Sequence, residues 1–200
     1  NRLKFDEHID ILCKKAASKM NSLYRIKGFL NYEMKRLLVN SFIYSNFNYC
    51  PQVWHLSSPK SIRMIEKIQE RLLRFQYNNF ELPYESLLAK AGKNTMLVSR
   101  IKAICIEIFK TINDENPPYM KEIFKTSLYR TSPRNVKDLE VPRVNQVSFG
   151  TNSLRALGPK IWNRLPEDLK NSITLSDFKR NLKLWSGPTC GCNYCKYVDK

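Results

Sequence analysis

Apolar residues recur at helical spacing through the first 125 residues. The first predicted helix begins near Asp6, and its apolar stripe repeats in alternating steps of four and three: Ile9, Cys13, Ala16, Met20 and Leu23. A second helix is predicted over about 31–44, with Met34, Leu37, Leu38, Phe42 and Ile43 as its apolar set. Further helices are predicted over about 59–77, 84–90 and 96–112, with a last turn over 119–125. The pattern therefore predicts a bundle of three to five helices.

The pattern changes after residue 125. Prolines, asparagines and a glycine interrupt residues 126–152, where four residues predict short strands or extended segments: Val141, Val144, Val147 and Phe149. Helix resumes around residue 153, and the run Thr174-Leu175-Ser176-Asp177 is typical of a helix N-terminus. The predicted fold class is mainly α, with a helical domain at 1–125, an extended connector at 126–152 and a C-terminal helical segment at 153–200.

The balance of charge narrows the class of partner. The 34 lysines and arginines outnumber the 18 acids, which gives a net charge of +16. Both halves of the chain share the excess, and this favours basic binding surfaces over one charged tail. A polyanion relieves such self-repulsion, so RNA, DNA or an RNA–DNA hybrid is the expected partner; the alternative is a soluble basic protein without one. No apolar run approaches the roughly 20 residues of a membrane-spanning helix, so no membrane partner is expected.

The third predicted helix carries a basic stripe, which we define as Lys60, Arg63, Lys67, Arg71 and Arg74. Spacings of three and four place these cations within about 80° on the helix, opposite an apolar face. They are the main candidates for phosphate contacts. The alternative is a solvated charged face whose cations pair with Glu66 and Glu70. Weaker candidates lie earlier in the chain: Lys14, Lys15, Lys19, Lys35 and Arg36.

An aromatic turn and three isolated cysteines are interpreted as packing elements. The side chains of Tyr44, Phe47, Tyr49 and Trp54 offer surfaces for stacking on bases, but core packing is favoured because adjacent aromatics usually fill a small core. Pro51 predicts an extended backbone at Cys50. Cys13, Cys50 and Cys105 stand among apolar residues and are expected to be buried thiols.

The end of the chain holds a candidate zinc site. Cys190, Cys192 and Cys195 form a C-x-C-x2-C run, a spacing that suits a soft metal. A structural zinc site needs four ligands, so the fourth would come from His8, His55 or a residue beyond Lys200. The alternative is a group of reduced thiols without metal.

No catalytic residues are predicted. The chain has no adjacent pair of aspartates to hold Mg²⁺, no Gly-Lys-Ser/Thr phosphate loop and no G-x-S-x-G motif. The neighbouring acids Asp114-Glu115 and Glu167-Asp168 stand at helix ends, where capping or exposure explains them better. His8 and His55 have no nucleophile near them in sequence.

Several separate runs resemble one protein family. Residues 3–9 (LKFDEHI) and 13–16 (CKKA) are similar to the segment that leaves the palm of non-LTR, LINE-like retrotransposon reverse transcriptases. Residues 41–54 (SFIYSNFNYCPQVW) resemble the thumb motif of the jockey-type branch, and 68–74 (IQERLLR) resemble its next helix. Later runs resemble the carboxy-terminal region of the same proteins: 129–130 (YR), 149–154 (FGTNSL), 158–163 (GPKIWN), 165–166 (LP), 178–179 (FK) and the cysteine cluster.

The resemblance implies a thumb-like helical bundle and a carboxy-terminal region that hold nucleic acid. The parent would be an RNA-directed DNA polymerase whose palm, with its catalytic acids and Mg²⁺, lies upstream of Asn1 and is a further expected partner. The chain is accordingly expected to be an excerpt of a longer intracellular protein of nucleus or cytoplasm, inactive as a polymerase alone. Two alternatives stay open: a non-catalytic helical protein-interaction module, and a decayed retroelement remnant.

Overall fold

A computed structural model describes residues 5–54, 58–125, 138–145 and 153–187. The protein is mainly helical, as the sequence predicts, and the described residues form no sheet. The chain divides into two compact units, Asn1–Leu97 and Val98–Lys200. None of the described helices is both long and apolar enough to cross a membrane.

The first unit is built from six helices and the start of a seventh. They are α1 (Asp6–Arg25), α2 (Tyr32–Val39), α3 (Ser45–Asn48), α4 (Pro51–Trp54), α5 (Pro59–Tyr77), α6 (Tyr84–Ala91) and α7 (Met96–Ile112). A 3₁₀ turn at Lys27–Phe29 precedes α2, and a π-helical turn at Asn40–Tyr44 joins α2 to α3. The predicted start of the first helix agrees with α1, and the starts and ends predicted for the third, fourth and fifth helices agree with α5, α6 and α7 to within one residue.

Helix α1 packs along α5 through the stripe that its sequence predicts. Ile9, Cys13, Ala16, Met20 and Leu23 are all buried, so the prediction of this face is confirmed. The two helices are also joined at their starts by Asp6. Its carboxylate accepts hydrogen bonds from the Ser58 backbone N–H at 3.0 Å and from the Ser61 hydroxyl at 2.6 Å. A polar contact therefore sets the register of α1 against α5.

Local sequence signals fix both ends of α5. The Ser58 hydroxyl accepts a hydrogen bond from the Ser61 backbone N–H, and Pro59 occupies the first helical position, where a missing N–H costs nothing. At the other end Asn78 adopts the left-handed conformation, with φ of 49°, which stops the helix. Between these ends, apolar contacts bury the side of α5 that faces α1, α2 and α6.

The second helix differs from the prediction in which residues it buries. Of the predicted set, Met34, Leu37 and Phe42 are exposed, Leu38 is half-buried and Ile43 is buried as predicted, while Lys35 and Val39 are buried in addition. The aliphatic stem of Lys35 can follow an apolar surface while its ammonium group reaches the ring of Phe75, at 5.4 Å from the centroid. In the π-helical turn each hydrogen bond spans one residue more than in an α-helix. After it, Ile43, Tyr44 and Phe47 all face the core.

The aromatic turn is mostly a packing element. Tyr44, Phe47 and Trp54 are buried in the core of the first unit, as expected, and the Trp54 indole N–H donates to the Tyr49 carbonyl at 3.1 Å. Tyr49 is exposed, so the expectation of burial is wrong there. Cys50 is also exposed, and its backbone is left-handed, with φ of 43°, rather than extended. The left-handed backbone at Cys50 directly precedes α4, which begins at Pro51.

The second unit contains the rest of α7 and three later helices. They are α8 (Leu154–Asn163), α9 (Glu167–Lys170) and α10 (Leu175–Leu184), and a 3₁₀ turn lies at Pro118–Glu122. Thr174 caps α10 through its hydroxyl, which accepts from the Asp177 N–H, so the predicted helix start is confirmed. The rings of Phe109 and Phe178 stack with centroids 4.4 Å apart, and both are buried.

The described part of the predicted connector is extended but forms no strand. Leu139 makes an isolated β-bridge, and its backbone N–H and C=O both pair with the side-chain amide of Asn163 at 2.9 Å. Asp138, which precedes Leu139, forms an ion pair with the ammonium group of Lys170 at 2.8 Å. Val141 and Val144 follow this hydrogen-bonded segment and are not in a strand. Val147 and Phe149 lie outside the described residues.

The boundary between the compact units and the domain boundary predicted from the sequence fall at different residues. The sequence boundary at residue 125 rests on the change of composition in 126–152, most of which lies outside the described residues. Along the chain, the boundary between the two compact units falls between Leu97 and Val98, in the first turn of α7. Helix periodicity alone gives no signal there, because α7 runs on without a break.

Candidate nucleic-acid interface

Four members of the basic stripe share one exposed face of α5. Lys60, Arg63, Lys67 and Arg71 all face solvent, while the opposite side of the helix is packed. Among the described residues, no carboxylate lies within ion-pair distance of these four cations. A rise of about 1.5 Å per residue spreads them over roughly 16 Å, which is the reach of several phosphates.

The fifth member of the stripe, Arg74, has a structural role. Its guanidinium pairs with the Glu70 carboxylate at 2.7 Å and also donates to the Phe80 carbonyl, so it ties the loop after α5 to the helix. Only 20% of its side chain is exposed. The N–H groups of Arg74 are thus hydrogen-bonded within the protein, and fewer of them are available to a phosphate than in the other four members of the stripe.

Glu66 does not neutralise the stripe, although its sequence position permits this. Its carboxylate lies on the packed side of α5, where it accepts from the backbone N–H groups of Met96 at 3.2 Å and Leu97 at 2.8 Å. The Tyr84 hydroxyl donates to the same carboxylate at 2.7 Å, and burial beside this charge raises the tyrosine's pKa. Glu66 therefore caps the start of α7, and the exposed face of α5 keeps its positive charge.

Most of the weaker candidates are engaged with the protein. Lys14 pairs with Asp10 at 2.6 Å, and Arg36 pairs with Glu33 at 2.7 Å. The remaining three differ in exposure: Lys19 donates to the Phe42 carbonyl at 2.9 Å, Lys35 is buried, and Lys15 is exposed. Exposed ion pairs of this kind are weak, so a phosphate can replace Asp10 as the partner of Lys14 or Glu33 as the partner of Arg36. Lys35 is buried, so a phosphate cannot reach it without a rearrangement of the protein.

A second group of cations and rings, which the sequence did not reveal, lies at the C-terminal end of α5. We call it the tyrosine–lysine cluster and define it as Tyr32, Arg36, Tyr77, Lys90 and Lys93. Its members come from α2, α5, α6 and the loop after α6. Because they are up to 61 positions apart in the sequence, no local spacing identifies them.

The cysteines within the described residues are not arranged for metal binding. Cys13 and Cys105 are buried, as predicted, and burial raises the pKa of the Cys105 thiol to about 12, which keeps it protonated and unreactive. No group of three histidine, cysteine or acidic side chains suited to a metal occurs in the part of the chain that the structure describes. The predicted zinc ligands Cys190, Cys192 and Cys195, and His55, lie outside it.

The interface thus consists of an exposed cationic face on α5 and a cluster of rings and cations at its end. Lysine and arginine side chains in such a row attract anions, and an exposed aromatic ring offers a face for stacking. No family model, curated protein or solved structure matches the chain.

Proposed function

We propose that this protein binds RNA, DNA or an RNA–DNA hybrid through Lys60, Arg63, Lys67 and Arg71, as the thumb-like, nucleic-acid-holding part of a retrotransposon RNA-directed DNA polymerase. The observation that carries the binding function is the exposed cationic face of α5, which lacks carboxylate partners among the described residues. Cations in such a row exchange their counterions for phosphates, and the released ions drive association. The polymerase assignment rests on the sequence resemblance.

Salt dependence tests the binding surface. The affinity of the full chain for duplex DNA and for an RNA–DNA hybrid would be measured by fluorescence anisotropy between about 50 and about 300 mM NaCl. We expect a steep fall in affinity with salt. Replacing Lys60, Arg63, Lys67 and Arg71 by Ala lowers the magnitude of the log–log slope by about 3 to 4, because each phosphate contact contributes about 0.9 on B-form DNA.

A charge-matched variant provides the control. Arg155, Lys160, Lys179 and Lys183 are also exposed, and changing them to Ala removes the same number of charges from the second unit. We expect the control variant to keep most of the wild-type slope. An equal loss in both variants would mean that binding follows total charge, and an unchanged slope in the α5 variant would contradict the proposed surface.

A protein-interaction module is the second candidate function, and one observation favours it. Met34 and Leu37 lie on the outer side of α2 with 49% and 66% of their surfaces exposed, and Phe29 beside this helix is 88% exposed. Exposed apolar groups of this size often mark a surface that another protein covers. Weak, salt-insensitive binding to nucleic acid in the experiment above would favour this candidate.

Two parts of the proposal depend on residues beyond the described interface. The zinc site at Cys190, Cys192 and Cys195 stays a prediction of the sequence. The upstream palm, with the Mg²⁺ that polymerisation requires, is likewise a predicted partner.

A further inference from the structure

Two tyrosines from different helices meet at the C-terminal end of α5. Tyr32 begins α2 and Tyr77 ends α5, and their ring centroids are 5.2 Å apart at an interplanar angle of 33°. Their hydroxyl oxygens are 3.0 Å apart, and the Tyr77 hydroxyl donates to the Lys90 carbonyl at 3.2 Å. The Tyr32 hydroxyl is then the donor to Tyr77. This chain of hydrogen bonds fixes both rings, while 41% of Tyr32 remains exposed.

Two cations lie beside this ring pair, and a third lies close to one of them. The Lys90 ammonium lies 5.0 Å from the Tyr77 ring centroid. Arg36 stands one helical turn after Tyr32, and its positive charge acts on both Tyr77 and Lys93. The Lys93 ammonium lies 3.8 Å from the Tyr44 ring centroid and donates to the side-chain oxygen of Asn40 at 3.3 Å. The ring pair is therefore bordered by positive charge from α2 and α6, and Lys93 adds a further charge near Arg36.

The positive charge of the cluster is only partly balanced. Glu33 pairs with Arg36, but no described carboxylate lies within ion-pair distance of Lys90 or Lys93. Lys93 is partly buried, and this burial together with the charge of Arg36 lowers its pKa. Two cations held near each other, one of them partly desolvated, form a place where an anion is stabilised by both.

A fixed, exposed ring beside cations suits an unpaired nucleotide. Bases of single strands stack on aromatic side chains, and nearby lysines and arginines hold the backbone phosphates. Paired bases in a duplex hide their faces in the stack, so they cannot use the ring. An acidic peptide can use the cations but gains nothing from the aromatic face. The combination of ring and cations therefore favours single-stranded nucleic acid.

We propose that the tyrosine–lysine cluster is a second nucleic-acid site, where an unpaired nucleotide stacks its base on Tyr32 and sets its phosphate beside Arg36 and Lys93. The proposal rests on the proposed function in one respect: the bound strand continues from a duplex held by the basic stripe. Tyr77 follows Arg71 by six residues, about 9 Å along the helix axis. One or two nucleotides of overhang cover this distance.

A comparison of overhang and blunt substrates tests the proposal. The affinity of the full chain for a blunt RNA–DNA hybrid would be measured beside that for the same hybrid with a short single-stranded extension. We expect the extension to raise affinity about 10-fold, within the range that stacking of a base on an aromatic ring supplies. No gain from an extension at either end would overturn the proposal.

Two variants of Tyr32 separate stacking from structure. Tyr32→Leu removes the aromatic face, and we expect it to abolish the gain from the overhang, measured within the variant as the ratio of its affinities for the overhang and blunt hybrids. Tyr32→Phe keeps the ring but loses the hydroxyl bond to Tyr77, and we expect it to retain most of the gain. Equal loss in the two variants would overturn the stacking role, since it would trace the effect to the hydrogen bond.

The phosphate part of the site is tested with oligo-dT alone. Replacing Arg36 and Lys93 by Gln should lower the salt slope for a short oligo-dT by about 1.4, because each contact contributes about 0.7 on a single strand. An unchanged slope would overturn this part. Competition by poly-glutamate as effective as competition by oligo-dT, at equal charge and salt, would also overturn it in favour of an acidic protein partner.

These measurements distinguish failure of the second site from failure of the proposed function. Loss of the blunt-hybrid salt dependence in the α5 variant depends on the basic stripe alone. The change that Tyr32→Leu makes in oligo-dT affinity depends on the cluster, because the cations of the basic stripe bind phosphates whether or not this ring is present. If the α5 variant loses salt-dependent binding of the blunt hybrid but Tyr32→Leu does not change oligo-dT affinity, the cluster is rejected and the basic stripe is kept. If Tyr32→Leu lowers oligo-dT affinity but the α5 variant keeps its salt slope, the basic stripe is rejected.

Discussion

The cations of the first unit lie in three kinds of surroundings. Lys67 and Arg71 are in solvent on α5, Arg74 is tied to a carboxylate and a carbonyl, and Lys35 is buried over a ring. A lysine or arginine in solvent keeps its charge available to a phosphate. One that is bonded inside the protein contributes to the fold, and moving it to a phosphate costs those contacts.

Neighbours distant in sequence decide which of these surroundings a cation has. Arg74 belongs to the stripe by its spacing, yet the carbonyl that takes its guanidinium comes from Phe80, after the helix has ended. Lys35 meets Phe75, which is 40 positions away. Spacing therefore predicts the exposed face of α5 but not the loss of Arg74 from it.

At the residue scale, Gly158 makes a close approach that a larger side chain would prevent. A β-carbon there would lie 2.6 Å from a ring carbon of Phe124 and 3.3 Å from Ile108. We expect Gly158→Ala to lower the free energy of unfolding by about 1–3 kcal/mol, the usual cost of overfilling a packed core. Urea unfolding followed by circular dichroism measures this.

Gly28 offers the matched control for that substitution. Nothing lies within 4 Å of its added β-carbon, and its φ is not positive. Gly28→Ala should change the free energy of unfolding by less than about 0.5 kcal/mol. Equal effects of the two substitutions would show that loss of glycine itself, rather than crowding by Phe124, is responsible.

At the element scale, α5 has a different function on each side. Its outer face carries the cations, and its inner side holds the start of α7 through Glu66. The first N–H groups of a helix have no partner within the helix, and a carboxylate satisfies them while also complementing the helix dipole. Helix α7 therefore begins where α5 places this carboxylate.

Substitution of Glu66 should loosen the start of α7. We expect Glu66→Ala to cost about 1–3 kcal/mol of unfolding free energy, because it leaves the backbone N–H groups of Met96 and Leu97 short of an acceptor, whereas the Tyr84 hydroxyl still has Gln69 at 2.7 Å. Glu66→Gln keeps an acceptor oxygen and should cost less. Hydrogen exchange of the Met96 and Leu97 amides would report the effect directly. Unchanged protection in Glu66→Ala would contradict the capping role.

The sequence predicts the elements of this protein better than their faces. The helix start at Pro59 follows from a local cap, and those near Asp6 and Met96 follow from apolar periodicity, although the carboxylate that caps α7 comes from Glu66, 30 residues earlier. The outward turn of Met34 and Leu37 does not follow, because it depends on the π-helical turn and on a buried lysine. The tyrosine–lysine cluster is likewise formed by tertiary packing.

At the scale of the whole molecule, charge is in excess over both units. Residues 1–97 hold sixteen basic and eight acidic residues, and residues 98–200 hold eighteen and ten. The ion pairs of the described residues include both exposed helical pairs and the buried pair of Lys170 with Asp138. Repulsion among the remaining cations opposes compact folding until salt or a polyanion screens it.

Salt should therefore stabilise this protein in the absence of nucleic acid. Raising NaCl from about 50 to about 300 mM shortens the range of the repulsion. We expect Tm to rise by about 4 °C, as a gain of about 0.5–1 kcal/mol produces in a unit of this size. The variant with Ala at Lys60, Arg63, Lys67 and Arg71 should gain less. A Tm that is independent of salt, or an equal gain in the variant, would contradict this explanation.

The three hydrogen bonds of Glu66 also give the protein a path for mechanical load. A pull on the outer face of α5 passes through the helix to this carboxylate and from there to the first turn of α7 and to Tyr84. A force applied to α5 therefore reaches α6 and α7 through one short polar contact as well as through the chain itself.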